Sequence, residues 1–310
     1  MKRTVCLILI CVLLCFFTGC EQKSQETVFA MDTVMDLQIW GDDSKKAVQT
    51  VKYLVHDLEN AWSNQKDTSV VSMLNGGEYV LSSADQELLE RVEALSERTN
   101  GTFDPKLHGL ITLWGFQSDE YHVPTQGEID AALRTQQWNL GAAVKGYAGD
   151  LAVERLQALD VDRAILNLGG NVQTYGEKPD GTPWSIGIQN PAGGNYTGTV
   201  SVVGTASVVT SGDYQRYFEE DGIRYHHILD PETGRPAQSG MSSVTVICRD
   251  GLTADALSTA LFVMGLEEAA EFWRQSDDFE AVFITSDGSV YATEGAALSG
   301  CEYEVISRED

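Results

Sequence analysis

The chain predicts an α+β fold, mixed sheets with helices packed on them. Three observations carry this. Segments with apolar residues at helical spacing and segments with alternating or β-branched patterning both recur along the chain. They do not follow one another as the regular strand–helix–strand units of a doubly wound sheet. Turn signals such as Gly41-Asp42-Asp43, Asn100-Gly101, Gly169-Gly170, Gly193-Gly194 and Asp287-Gly288 punctuate them. The sequence has no internal repeat and no low-complexity segment.

The elements follow in order. Lys2 and Arg3 precede an apolar run from Val5 to Phe17. A spanning helix needs roughly 20 apolar residues, so residues 1–19 read as a secretory signal peptide. Gly19-Cys20 resembles the bacterial lipobox, with Phe17 where leucine is usual, and makes Cys20 the lipidated first residue of the mature chain. The expected location is the extracytoplasmic face of the cell membrane, periplasmic where an outer membrane exists. Residues 20–28 read as a polar tether. A single domain, divisible into two lobes, spans 29–300, and 301–310 reads as a C-terminal tail.

Within the domain, Thr33 to Trp40 alternates as a strand. Ser44 to Trp62 carries the stripe Val48, Val51, Leu54, Val55 and Leu58, with Ser44 as its N-cap. Ser83 to Thr99 is a second helix, ending at Asn100-Gly101. Tyr147 to Leu159 is a third, followed by a buried strand from Arg163 to Leu168. Strands are expected at Trp184–Gln189, Thr199–Val203, Ser207–Ser211, Arg224–Asp230 and Ser243–Arg249. Helices are expected at Ala254–Met264 and Leu266–Arg274. Ala281–Ser286 and Val290–Ala292 form a closing hairpin.

The net charge of −25 argues against nucleic acid as a partner, because no basic stripe is available for phosphates. An anionic ligand would need a local cation, from a metal or from placed Lys and Arg side chains. Cys6, Cys11 and Cys15 lie in the signal segment. Cys248 and Cys301 are too few for a disulfide framework; they form one bridge or two buried thiols.

Two blocks are rich in chemistry. His226-His227-Ile228-Leu229-Asp230-Pro231-Glu232-Thr233-Gly234 runs a histidine pair into an aspartate and a turn. His227 suits a general base or a phosphate contact. Asp255 and Thr259 are four apart and share a helix face, with Ser258 beside them. A carboxylate with hydroxyls suits a hard cation such as Mg²⁺, although the same residues also suit a helix start packed with small side chains. Asn139-Leu140-Gly141-Ala142-Ala143-Val144-Lys145-Gly146-Tyr147 is a loop feeding a helix, a junction that offers N–H groups and Lys145 to an anion. Asn167-Leu168-Gly169-Gly170-Asn171 is a turn or a close approach to a flat ligand. Thr102-Phe103-Asp104-Pro105, then Leu113-Trp114-Gly115-Phe116, places aromatics near a carboxylate.

These blocks, together with Met31-Asp32-Thr33, Trp62-Ser63, Asn75 and Thr210-Ser211-Gly212-Asp213-Tyr214, resemble in their order the ApbE family of FAD:protein FMN transferases. The resemblance spans about Phe29 to Tyr291, and implies an ApbE-like, T-fold-related architecture. It implies FAD as substrate, Mg²⁺ as cofactor, and transfer of FMN to a threonine or serine hydroxyl of an acceptor flavoprotein with loss of AMP. It implies that Asp255, Thr259 and the Ala142 carbonyl hold the metal, with Ser258 adjacent. Met31, Thr102, Phe103, Asp104, Asn139, Lys145 and Leu229 would line the FAD site, and His227 would take the hydroxyl proton. Two departures stand out: Asn139 where the family has aspartate, and a shorter stretch from Pro124 to Trp138. Two other outcomes fit the same residues: FAD pyrophosphate hydrolysis to FMN and AMP, and non-catalytic flavin or solute binding by a lipid-anchored protein.

Overall fold

The computed structural model describes residues 22–118 and 120–309. The signal segment 1–19 and Cys20 lie outside the described residues. The chain begins with β1 (Lys23–Ala30), β2 (Thr33–Trp40), α1 (Ser44–Trp62), α2 (Val70–Asn75), α3 (Ser83–Arg98), α4 (His108–Leu113), α5 (Gln126–Ala132) and α6 (Val144–Gln157). Then come β3 (Arg163–Asn167), β4 (Asn171–Tyr175), β5 (Trp184–Gln189), β6 (Tyr196–Val202), β7 (Ala206–Gly212), β8 (Tyr217–Glu220) and β9 (Ile223–His226). It closes with β10 (Met241–Cys248), α7 (Gly251–Met264), α8 (Leu266–Arg274), β11 (Phe279–Thr285), β12 (Val290–Thr293), β13 (Leu298–Ser299) and β14 (Glu304–Ile306).

A nine-stranded sheet, ordered β1-β2-β3-β4-β7-β10-β11-β12-β14, forms the backbone of the molecule. Its neighbours run antiparallel until the last pair, β12 and β14, which is parallel. Period-two patterning gives the sheet two apolar faces. On β11, Phe279, Ala281 and Phe283 point to α7 and α8, packing with Leu257, Leu261 and Trp273. The alternate residues Val282 and Ile284 point the other way, against Trp184, Ile186 and Val200 of the small sheet β13-β6-β5. Further along the sheet, Met35, Leu37 and Ile39 of β2 pack on Val48, Val51 and Val55 of α1. A separate aromatic cluster, with Trp114, Phe116 and Leu229 at its centre, ties α4 and α5 to the β8–β9 hairpin. The mixed α+β architecture is therefore the one the patterning predicts.

Several boundaries differ. The tether ends early: from Lys23 the chain is edge strand β1, paired residue for residue with β2. Its first residues are polar on both faces, and only Val28 and Ala30 are buried, so no alternation was visible. The expected tail contains β14, in which only Ile306 is buried. α6 and α7 each start three residues before the apolar pattern does, at Val144 and Gly251. Ser44 does not cap α1; Asp43 precedes it without a side-chain bond to the helix start, and the buried Ser44 hydroxyl meets Ser24 Oγ at 3.1 Å. The strand expected to reach Asp230 stops at His226. Cys248 and Cys301 are both free, the first buried in β10. Burial pushes the Cys248 thiol up to about 11.

Candidate active site

Sheet register brings two turns and the end of β7 to one end of the sheet. The β1–β2 turn is Met31-Asp32, because Ala30 pairs with Thr33. The β3–β4 turn is Leu168-Gly169-Gly170, and the end of β7 lies beside it, with Val209 paired to Asn171. Both hairpin residues are left-handed, Met31 at φ 50 and Asp32 at φ 59. A two-residue hairpin of this twist demands that, but methionine seldom adopts it. Gly169, at φ 73, is required by space as well, since a Cβ there would sit 2.3 Å from Thr33 Cγ2.

These turns, the start of α6 and one face of α7 enclose a cavity of about 650 Å³, within the roughly 300–1,000 Å³ of small-molecule sites. Met31, Thr102, Phe103, Asp104, Asn139, Ala142, Lys145, His227, Leu229, Asp255 and Thr259 all line it. Ser258 does not. It is 0% exposed, its hydroxyl donates to the Asp255 carbonyl at 2.9 Å, and it pairs with Ser211 Oγ at 2.8 Å. It supports the wall from behind, because Ser211 also meets Thr259 Oγ1, at 3.3 Å. Asp230, expected at a strand end beside His227, is occupied in its own turn, accepting from Glu232 N–H at 2.8 Å and Thr233 Oγ1 at 3.0 Å.

Asp255 is 4% exposed, and its Oδ2 accepts from Gly146 N–H at 2.9 Å. Among the described residues no lysine or arginine is ion-paired with it. Lys145, in the first turn of α6, reaches back to the Gly141 carbonyl at 3.4 Å. Arg216 also lines the cavity, with Nη2 2.5 Å from Asp32 Oδ2. Burial pushes Asp104 above the usual carboxylate range, against the Lys106 N–H that donates to it. His227 is held on two sides by one carbonyl: its backbone N–H and its Nδ1 lie 3.0 and 3.1 Å from Arg216 O. A carbonyl only accepts, so Nδ1 carries the proton and Nε2 keeps a free lone pair. Burial, then the Arg216 cation, pushes the ring down to about 3, so the imidazole is neutral.

The wall also holds polar atoms without protein partners: Asn139 Nδ2, Asn171 Nδ2 and Tyr214 Oη are buried and unpaired among the described residues. Asn139 Oδ1 accepts from Gly141 N–H at 2.9 Å, which leaves the amide donor side over. Such groups are costly unless a ligand or water meets them.

A family model described as the ApbE family matches residues 31–283. The chain belongs to the ApbE family. A FAD:protein FMN transferase of Treponema pallidum (strain Nichols) is 33% identical over 288 residues, covering 80% of each chain. Another, of Klebsiella pneumoniae (strain 342), is 35% identical over 227 residues, covering 66% of this chain and 70% of its own. Among solved structures, the ApbE protein of Thermotoga maritima superposes with a TM-score of 0.82 at 30% identity, over 88% of this chain and 97% of its own. The flavin transferase ApbE of Vibrio cholerae gives 0.76 at 26% identity, over 88% and 98%. Like its ApbE relatives, the chain is an enzyme of the transferase class. The cavity also contains residues that sequence reasoning did not assign. Arg216 is the clearest: a lone arginine after a strand has no spacing pattern, and only the fold brings it to the cavity that Lys145 also lines. Asn171 and Tyr214 lay inside the recognised blocks without a role.

Proposed function

We propose that this ApbE-family chain transfers FMN from FAD to a threonine or serine hydroxyl of an acceptor flavoprotein, dependent on Mg²⁺. The observation that carries this is one cavity lined by Asp255, a buried carboxylate without an ion-pair partner among the described residues, together with Thr259, Lys145 and the neutral base His227. The names of the relatives supply the flavin.

The residues fit a magnesium ion. Asp255, Thr259 and the Ala142 carbonyl offer oxygen only, as a hard cation requires. Among the described residues no cluster of three or more His, Cys, Asp or Glu exists, so the protein supplies few ligands and leaves room for phosphate oxygens and water. When bound, the ion neutralises charge on the phosphate oxygens. The chain's own residues do the rest. Lys145 and Arg216 add positive charge to the walls, and the unpaired amides of Asn139 and Asn171 offer donors. The acceptor hydroxyl forms a bond to phosphorus, the bond to AMP breaks, and the hydroxyl proton passes to His227 Nε2. In-line displacement of this kind depends mainly on positioning and charge.

The sign of the pH dependence follows. Above about pH 3 the folded protein holds His227 neutral, the form that accepts a proton. Therefore kcat/KM for FAD is expected to show no midpoint from His227 between about pH 5 and 8. His227→Gln is expected to lower kcat about a hundredfold. A wild-type midpoint near 6.5 that this variant abolishes would show an ordinary histidine instead.

We further propose export and lipid anchoring at Cys20, supported by the apolar run and Gly19-Cys20. Among the described residues no helix is long and apolar enough to cross a membrane, so attachment would rest on the acyl chains. Cys20→Ser is expected to move the protein from the membrane pellet to the soluble fraction, and unchanged pelleting would contradict the anchor.

A further inference from the structure

Helices α6 and α7 cross at a pair of glycines. A Cβ on Gly251 would lie 2.4 Å from the Gly146 carbonyl oxygen, and one on Gly146 would lie 1.9 Å from the Gly251 carbonyl oxygen. Each helix then sends a carboxylate, four residues on, to the other's backbone. Asp255 of α7 accepts from Gly146 N–H at 2.9 Å. Asp150 of α6 accepts from Gly251 N–H at 2.6 Å with Oδ1 and from Leu252 N–H at 2.9 Å with Oδ2. α7 therefore carries two caps. Its own Asp250 accepts from Thr253 N–H at 2.8 Å, and Asp150 serves the two amides before that from another helix. Asp150 does not line the cavity, but one turn of α7 separates the amides it holds from Asp255, and Thr259 lies one turn further.

We propose that Asp150 is a positioning residue for flavin transfer, clamping α7 to α6 so that Asp255 and Thr259 face Lys145 and the Ala142 carbonyl. This rests on the functional reading above. Two fixed hydrogen bonds to a helix start set both the rotation and the height of that helix, which a single cap does not. Groups that orient metal ligands typically change metal affinity or activity by about 10–100-fold when they are replaced.

The electrostatics agree. Burial, then the nearby Asp250 carboxylate, pushes Asp150 up to about 6, against the two amide bonds and the Arg91 cation. The charged and titratable groups around it are Asp250 and Arg91, themselves paired at 2.8 Å, with Tyr147, Glu154 and Glu87 beyond. Above about pH 6 the carboxylate accepts both amides. Below it, a protonated oxygen turns donor and one amide loses its partner.

The test is Asp150→Asn, which keeps the shape and removes one acceptor, with the exposed Glu154→Gln as the charge control. Half-saturating Mg²⁺ in flavin transfer is expected to rise about tenfold or more, while kcat at saturating Mg²⁺ changes less than about threefold. Hydrogen exchange at Gly251 and Leu252 is expected to accelerate, without ligand present. In wild type, half-saturating Mg²⁺ is expected to climb as pH falls through about 6, and the variant is expected to lose that dependence. Glu154→Gln is expected to behave as wild type. If the asparagine variant does not fold, Asp150→Ser, with a single acceptor, carries the same expectations. Half-saturating Mg²⁺ within twofold of wild type, whatever the exchange rates, would overturn the inference alone. A wild type without EDTA-sensitive transfer would overturn the functional reading, and the inference with it.

Discussion

Asp255→Asn is expected to lower flavin transfer at least about a thousandfold, roughly 4 kcal/mol of transition-state stabilisation. The substitution preserves volume, and an amide oxygen still accepts the Gly146 N–H that now bonds Oδ2. What disappears is the negative charge on the α7 face of the cavity. Stability is expected to move the other way. A carboxylate 4% exposed, without an ion-paired cation among the described residues, is held out of water at a cost. Replacing it by a neutral amide relieves that cost, so the variant is expected to melt at the same temperature or higher. Opposite movement of activity and stability marks a residue kept for function. A variant that loses transfer and melts far below wild type would instead place Asp255 in the fold's support. Flavin fluorescence on the acceptor and a thermal melt of the same preparation decide between them.

Gly146→Ala is expected to destabilise the protein by about 3 kcal/mol or more, beyond ordinary overpacking. The new methyl would meet Gly251 backbone atoms at 1.9 and 2.5 Å and Asp255 Cβ at 2.8 Å. None of these is the movable end of a long side chain. The helices must separate, and separation withdraws the Gly146 N–H from Asp255 and the Gly251 N–H from Asp150. The folded remainder is therefore expected to transfer flavin poorly at wild-type Mg²⁺. Urea unfolding within about 1 kcal/mol of wild type would mean that the helices do not meet at these glycines.

Much of this was legible before the structure, for identifiable reasons. β2 and α8 fall at the bounds that their patterning predicts, because each buries one face only. β1 and β14 were not, since edge strands with one or two buried residues carry no alternation. α7 illustrates a third case. Its apolar pattern begins three residues after the helix does, because Gly251 is a poor helix former, yet the crossing with Gly146 admits only glycine there. The cavity residues were found through blocks of sequence whose order is shared with a family. Helical spacing alone did not sort them: α7 is buried nearly all round, so it could not tell Thr259, on the cavity wall, from Ser258, behind it. Arg216 and Asp150 act across elements far apart in sequence, and no local pattern announces either.

Flavin transfer by this chain is tested by watching the transfer itself. The purified protein would be incubated with FAD, Mg²⁺ and a flavoprotein domain bearing an exposed threonine, then run on a denaturing gel and viewed for flavin fluorescence. A fluorescent acceptor band that EDTA abolishes and that Mg²⁺ restores is expected, with AMP released alongside. Free FMN and AMP without a labelled acceptor, or FAD left intact with every threonine-bearing acceptor tried, would contradict it.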